Sequence, residues 1–465
     1  MLRVSKYNIY LPFKKNPEKS LIIQGLSGSF DVVDTLVINT LKSAEKNIDC
    51  LERLPVEAID ALMQRGYVTK LSKEKEFQVI EKVISAINDQ RKKILHLVIL
   101  PTYSCNFRCS YCFEYQEKGC LKKVGANLLK NKMSAEVLNA IFAQVMKYRK
   151  DGYIINDIAI FGGEPLLKGN RDVILQICEK ARHLNLEITC TSNGYDLDSY
   201  IDIIKAYDFK NIQITIDGVS EVHDSRRYLA NKAGTYDKIV SNVDLALKAG
   251  LKIVIRTNVN ANNAEEIIRL MEVYEDRGWT EYSNFKYYFQ TTLACYEDSE
   301  SLLTNIDLTK RLTEDFGYDM DKINLNGSYK RIAKTIKGML DRKGLAPLKS
   351  SYCGAHTGMY VVDPFGDIYP CYATLGDKKT VIGKVDVENE VFLFNETMKV
   401  WKDRTVDKIA GCRNCKYMLF CGGGCAAEGK VVNDDYYQSY CNNFREMFNQ
   451  VAVDVCEEHL NSHHI

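Results

Sequence analysis

The sequence predicts an α/β protein built around a partial (β/α)6 barrel of parallel strands, preceded by a small winged-helix-like unit and followed by a cysteine-rich tail. Three observations lead there. Extended apolar runs alternate with amphipathic helical stretches through residues 91–292, the pattern of parallel strands joined by crossover helices. The first ninety residues instead mix short extended runs with short helices. The sixteen cysteines are unevenly spaced, and most gather at 105–112 and 353–441.

Taken in order, residues 7–13 and 21–24 read as strands and 34–43 and 56–66 as helices, with Gly66 as a helix stop before a strand at 67–71. This is the content of a winged-helix-like unit, and equally that of a cap on the next domain. A charged helix at 74–93 leads into the barrel. Its strands are read at 95–101, 157–161, 187–191, 212–217, 252–258 and 285–290. Its helices are read at 135–148, 172–184, 197–206, 236–249 and 264–278. Reactive groups in such a sheet collect at the C-terminal ends of the strands. Residues 293–350 read as a polar, helical bridge, and 351–465 as the cysteine-rich domain.

With 465 residues and about 150 per domain, some three domains are expected. A net charge of +1 supplies no field for gathering phosphates, which argues against nucleic acid as the main partner. No secretory signal is visible at the N-terminus, and no apolar run approaches the roughly 20 residues of a membrane span. A soluble, cytoplasmic protein is expected, in a compartment where thiols bind metal or do chemistry more often than they form disulfides.

Cys105-Asn-Phe-Arg-Cys109-Ser-Tyr-Cys112 places three thiols on one loop after the first barrel strand. Three thiolates hold three corners of a cubane iron-sulfur cluster and leave the fourth iron open. Zinc needs a fourth donor, and neither His nor Asp lies within the loop. This C-x3-C-x2-C loop, with Tyr111 before its last cysteine, resembles the signature of the radical S-adenosylmethionine (SAM) superfamily. The resemblance implies that the open iron binds the amino and carboxylate groups of SAM. It also implies that one electron then cleaves SAM to methionine and a 5'-deoxyadenosyl radical, which takes a hydrogen atom from substrate. Gly162-Gly163-Glu164-Pro165 is similar to the family's GGEP segment, which meets the SAM ammonium. Thr191-Ser192-Asn193-Gly194 is similar to its ribose or carboxylate contact. Gln213 to Gly218 resembles Q-x-S-x-D-G with Thr215 in place of Ser, and His223-Asp224-Ser225-Arg226-Arg227 resembles H-D-x-x-R, making Arg227 a partner for the SAM carboxylate.

In the tail, Cys353, Gly366 and Cys371 are followed by C-x2-C-x5-C-x3-C at Cys412, Cys415, Cys421 and Cys425, and then by Cys441. This resembles the SPASM domain, which adds auxiliary clusters to radical SAM enzymes that modify peptides and proteins. Asp363-Pro364-Phe365-Gly366-Asp367 reads as a hairpin turn that brings Cys353 towards Cys371. The family's ligation pattern implies that Cys412, Cys415, Cys421 and Cys441 complete one four-iron cluster, while Cys353, Cys371 and Cys425 hold another with three ligands. Either Cys295 or another residue closes that second cluster, or one iron stays open to a substrate thiolate. The resemblance thus implies three 4Fe-4S clusters and SAM as cofactors. As partners it implies a ribosomal precursor peptide, whose leader docks on residues 1–90, and a one-electron donor such as flavodoxin or ferredoxin. The function expected first is thioether cross-linking of a peptide cysteine. Carbon-carbon (cyclophane) cross-linking and sulfatase maturation to formylglycine come next, and a non-catalytic electron carrier stands as the reading from another class.

Overall fold

The structure is a computed structural model describing residues 2–112, 131–293, 300–319, 323–325, 328–341 and 347–463. Cys295, a candidate to close the second tail cluster, and Cys120 lie outside the described residues. In chain order the strands are β1 (Arg3–Val4), β2 (Asn8–Pro12), β3 (Lys19–Gln24), β4 (Phe30–Asp34), β5 (Val68–Thr69), β6 (His96–Ile99), β7 (Asp157–Ile160), β8 (Glu187–Ser192), β9 (Asn211–Thr215), β10 (Ile253–Val259), β11 (Phe285–Thr291), β12 (Met359–Val362), β13 (Asp367–Tyr369), β14 (Gly383–Asp386) and β15 (Val391–Phe394).

Strands β6 to β11 pair in parallel and in sequential order, each within two residues of the run read from the sequence. Crossover helices Ala135–Lys150, Arg171–His183, Ile201–Ala206, Tyr236–Lys248 and Glu266–Asp276 bury one face against the sheet. The first is opened by Ser134, whose side chain accepts from Val137 N, and closed by Lys147, Arg149 and Lys150 in its last turn, where cations meet the negative end of the helix dipole. In helix Arg171–His183 the buried residues Val173, Ile174, Ile177, Cys178 and Ala181 recur at helical spacing. Each such Val or Ile contributes roughly 1.5–3 kcal/mol on burial.

The barrel sheet does not end at β6. Strand β12 of the tail pairs in parallel with β6, Met359 opposite His96 and Val362 opposite Ile99, and β13, β14 and β15 continue antiparallel from it. The tail is therefore an extension of the same ten-stranded sheet. The hairpin read at 363–367 is the β12–β13 turn, with Gly366 in the left-handed region at φ 80° and its N–H donating to Asp363 O.

At the N-terminus, β2, β3 and β4 form an antiparallel sheet beside helices Thr35–Ala44 and Val56–Gln64, and β1 pairs with β5. One face of this sheet (Ile9, Leu11, Phe13, Leu21, Ile23) shares a core with bridge helix Ser328–Leu340 and terminal helix Phe444–His463. Tyr7, Leu26, Ile80 and Ile84 pack with Val406, Ile409, Cys412, Met418 and Leu419. The first ninety residues thus support the tail, and removing them would expose its core.

Candidate active site and cysteine groups

The cysteine loop leaves β6 and lies between two segments. On one side the loop pairs with residues 226–230: Ser110 N donates to Arg226 O, Arg108 N to Tyr228 O and Ala230 N to Asn106 O. On the other, Gly163 N donates to Thr102 O (3.2 Å) and Glu164 N to Ser104 O (2.8 Å). The two glycines make this approach possible. A Cβ on Gly162, whose φ is 142°, would stand 2.6 Å from Thr102 O, and one on Gly163 would stand 2.4 Å from both Tyr103 O and Ser104 O. The backbone they approach is that of the cysteine loop.

Glu164 is 1% exposed. Its carboxylate accepts from Leu166 N (2.8 Å), Ser192 Oγ (2.8 Å) and Asn193 N (2.5 Å), so it ties the end of β7 to the end of β8. Burial outweighs these donors and lifts its pKa to about 7. Pro165 O accepts from Asn170 Nδ2, and Asn193 Nδ2 donates to Asn106 Oδ1 inside the cysteine loop (2.8 Å). Gln213 stands apart: its side chain accepts from Tyr288 OH (2.5 Å), reaching across β10.

A second network forms around Tyr111. Its hydroxyl donates to Asp217 and accepts from Arg227 Nη1 (2.6 Å) and Asn258 Nδ2 (3.1 Å). Asp217 is fully buried and also accepts from Asn258 N (2.9 Å). Arg226 lies over the Tyr111 ring at 5.0 Å and 3.8 Å from Asp217. Arg227 is 7% exposed beside Cys109, and its Nε has no partner among the described residues. His223 is structural: Nδ1 accepts from Asp217 N, Nε2 meets Thr235 Oγ1, and burial beside two arginines drives its pKa well below the usual value. Asp217 belongs to the Q-x-S-x-D-G resemblance, whereas Asn258 was missed from sequence; the available signal was its place at the end of β10.

The structure gathers the cysteines into three groups. Cys105, Cys109 and Cys112 share the loop, and burial raises the thiols of Cys105 and Cys109. Cys412, Cys415, Cys421 and Cys441 line one cavity with Tyr417, Met418, Phe444 and Arg445. Three consecutive glycines, Gly422 to Gly424, follow Cys421 at φ 83°, 88° and 79°. A Cβ on Gly424 would stand 1.9 Å from Tyr440 O, so the wrap towards Cys441 requires glycine. Cys353, Cys371 and Cys425 all act electrostatically on Tyr372, whose ring meets Phe161 of the barrel mouth at 5.4 Å. Among the described residues no three His, Cys, Asp or Glu close on a point as a single ion requires. A cubane, whose irons each take one thiolate, tolerates the wider spread.

Residues 99–274 match the profile of the radical SAM superfamily. The chain carries a radical SAM domain. It is similar to a cysteine-type anaerobic sulfatase-maturating enzyme of Clostridium perfringens (strain 13 / Type A), 26% identical over 371 residues that cover 76% of this chain and 95% of that protein. A GTP 3',8-cyclase of Nautilia profundicola is 28% identical over 200 residues, 42% of this chain and 57% of its own length. Among solved structures, native anSMEcpe with bound AdoMet superposes with TM-score 0.59 at 21% identity over 79% of this chain and 99% of its own. Streptococcus suis SuiB bound to S-adenosylmethionine superposes with TM-score 0.50 at 15% identity over 94% and 98%. These likenesses establish the α/β radical SAM fold. The domain makes the protein an enzyme and implies a 4Fe-4S cluster and SAM. The residues present suit both: three thiols on one loop, a buried carboxylate between strand ends, and a buried guanidinium with an unsatisfied Nε. Among the described residues no helix is long and apolar enough to cross a membrane.

Proposed function

We propose that this radical SAM enzyme is a cytoplasmic maturase that oxidises a peptide or protein substrate at a cysteine, using two auxiliary clusters in a SPASM-type tail. The observation that carries the proposal is the placement of the three-cysteine group, at Tyr372, against the mouth of the barrel. Substrate seated there would lie near both the cysteine loop that follows β6 and a tail group that offers three thiols among the described residues. When bound, the loop cluster and SAM supply a 5'-deoxyadenosyl radical that takes one hydrogen atom from substrate carbon.

The chain's own residues prepare that event. Cys105, Cys109 and Cys112 present three thiolates. Glu164, held by Ser192 and Asn193, would meet the SAM ammonium, and Gly162, Gly163 and Pro165 fix its position against the loop. Arg227, positioned by Tyr111 and Asp217, takes the SAM carboxylate. Gln213, bonded to Tyr288, shapes the barrel interior. In the tail, Cys412, Cys415, Cys421 and Cys441 hold one auxiliary cluster, and Cys353, Cys371 and Cys425 hold the other.

The sulfatase-maturating relatives favour conversion of a substrate cysteine to formylglycine. A second reading is cross-linking of a precursor peptide, through a thioether or a carbon-carbon bond; the first ninety residues leave room for it, since the anSMEcpe fold covers 79% of this chain and the SuiB fold 94%. Strand β4 pairs with β3 alone among the described residues, which leaves an edge for a leader strand. A flavodoxin or ferredoxin would supply the electron. Anaerobic incubation with dithionite, SAM and a cysteine peptide tests the proposal. We expect 5'-deoxyadenosine in proportion to altered peptide; sulfur replaced by oxygen marks formylglycine, and retained sulfur with two hydrogens lost marks the cross-link. SAM cleavage with every cysteine peptide unchanged would overturn it.

A further inference from the structure

Arg404 follows helix Glu396–Lys402 and is 1% exposed. Its guanidinium bonds only to backbone carbonyls: Nη1 to Gly424 O (3.1 Å), Nη2 to Gln438 O (3.0 Å) and Nε to Tyr436 O. No carboxylate pairs with it among the described residues. A guanidinium stays charged when buried, and a buried charge needs a counter-charge. Sulfur atoms of both tail groups act on it electrostatically: Cys412 of the four-cysteine set, and Cys425 and Cys353 of the three-cysteine set. The carbonyls it holds belong to the straps that carry these ligands, since Gly424 lies between Cys421 and Cys425, and Gln438 leads to Cys441. Arg445 differs. It is exposed and lines the four-cysteine cavity, where Cys415 and Cys441 are the thiols that act on it electrostatically.

We infer that Arg404 is the shared counter-ion of both auxiliary clusters, holding their reduction potentials up, while Arg445 does the same for the four-cysteine cluster alone. The inference rests on the assignment of auxiliary clusters to the tail. A fixed cation stabilises the more negative, reduced state of an adjacent centre, and charge and hydrogen bonding around the sulfurs are established levers on such potentials. Arg404 is a positioning residue: it touches neither substrate nor SAM, and it makes both groups readier to take the electron that leaves substrate after hydrogen abstraction.

The test is an EPR-monitored redox titration of full-length, anaerobically reconstituted protein, with iron and sulfide counted per chain and the loop cluster removed by Cys105→Ala/Cys109→Ala/Cys112→Ala so that the tail signals stand alone. Arg404→Gln is expected to lower both midpoint potentials, and Arg445→Gln to lower one. Arg404→Lys, which keeps the charge, is expected to leave both near the parent's values. A parent protein that binds no iron in its tail refutes the auxiliary-cluster assignment. Two clusters whose potentials do not move in Arg404→Gln refute the inference alone. Should Arg404→Gln fail to load iron, Arg404→Lys decides: loading with parent potentials supports the counter-ion, and equal failure shows a structural strap and overturns it.

Discussion

Glu164→Gln removes the carboxylate from the centre of the proposed SAM site and keeps the shape of the side chain. Glu164 accepts three hydrogen bonds from Leu166 N, Ser192 Oγ and Asn193 N. Glutamine has a single acceptor oxygen, so its amide must face one N–H donor. Such a conflict in a buried site costs about 1–3 kcal/mol of stability. The lost interaction with the SAM ammonium is charge-assisted, worth about 1.5–3 kcal/mol, so SAM affinity should fall roughly 10- to 150-fold. The sign of the pH effect follows from the carboxyl's elevated pKa of about 7. Below that value the folded site is protonated, and binding an ammonium must first expel the proton. One pH unit below the pKa this costs about 1.4 kcal/mol, against about 0.4 kcal/mol at the pKa itself, so wild-type affinity should drop roughly fivefold as pH falls from 7 to 6. The same group favours folding below the ordinary carboxylate range, and that contribution is lost as pH rises through 7. Anaerobic calorimetry of SAM binding to the cluster-loaded protein at pH 6, 7 and 8 measures both effects. Any slope that survives in Glu164→Gln belongs to the SAM amine. Equal affinities and equal slopes in the two proteins would refute the reasoning.

Alanine at Cys105, Cys109 or Cys112 should abolish 5'-deoxyadenosine formation, read by chromatography; normal formation in any one would remove that cysteine from the cluster. Gly163→Ala drives a Cβ to 2.4 Å from Tyr103 O and Ser104 O, so the loop must retreat. It should cost about 1–3 kcal/mol and most SAM cleavage, whereas parental cleavage would show that the close approach is dispensable. Ile336→Ala empties a fully buried position shared by the bridge helix, the N-terminal sheet and the terminal helix. Its expected cost is about 2–5 kcal/mol in denaturant unfolding, and a change below 0.5 kcal/mol would show that the three do not share a core.

The barrel was legible because each strand run is a local apolar signal followed by a helical one, as at 157–161 and 172–184. The cysteine groups were legible because the spacing 412, 415, 421, 425 is itself the information. What escaped was long-range. The pairing of β12 with β6 joins residues some 260 apart, and nothing in Met359–Val362 names its partner. Strand β4 went unread ahead of the helix at 34–43, because Phe30–Asp34 is short and half-exposed. Tyr111 was singled out by motif, yet its partners Asp217, Arg227 and Asn258 come from three separate segments and meet only when β9 and β10 align. Gln213, grouped with the cofactor residues by motif, sits inside a strand and bonds to Tyr288. Arg404 lies in an unremarkable Asp-Arg-Thr run, and only the fold places it between two sets of thiols.

The central claim, oxidation of a substrate cysteine by a SAM-derived radical, is tested most directly by mass spectrometry of cysteine peptides recovered after anaerobic reaction with the cluster-loaded enzyme and then treated with a thiol alkylator. The substrates are short peptides encoded beside the gene, and sulfatase-derived cysteine peptides. The account predicts a peptide with one cysteine lost to alkylation, formed in step with 5'-deoxyadenosine and absent with Cys105→Ala. Modification elsewhere, with every cysteine still alkylated, would contradict it.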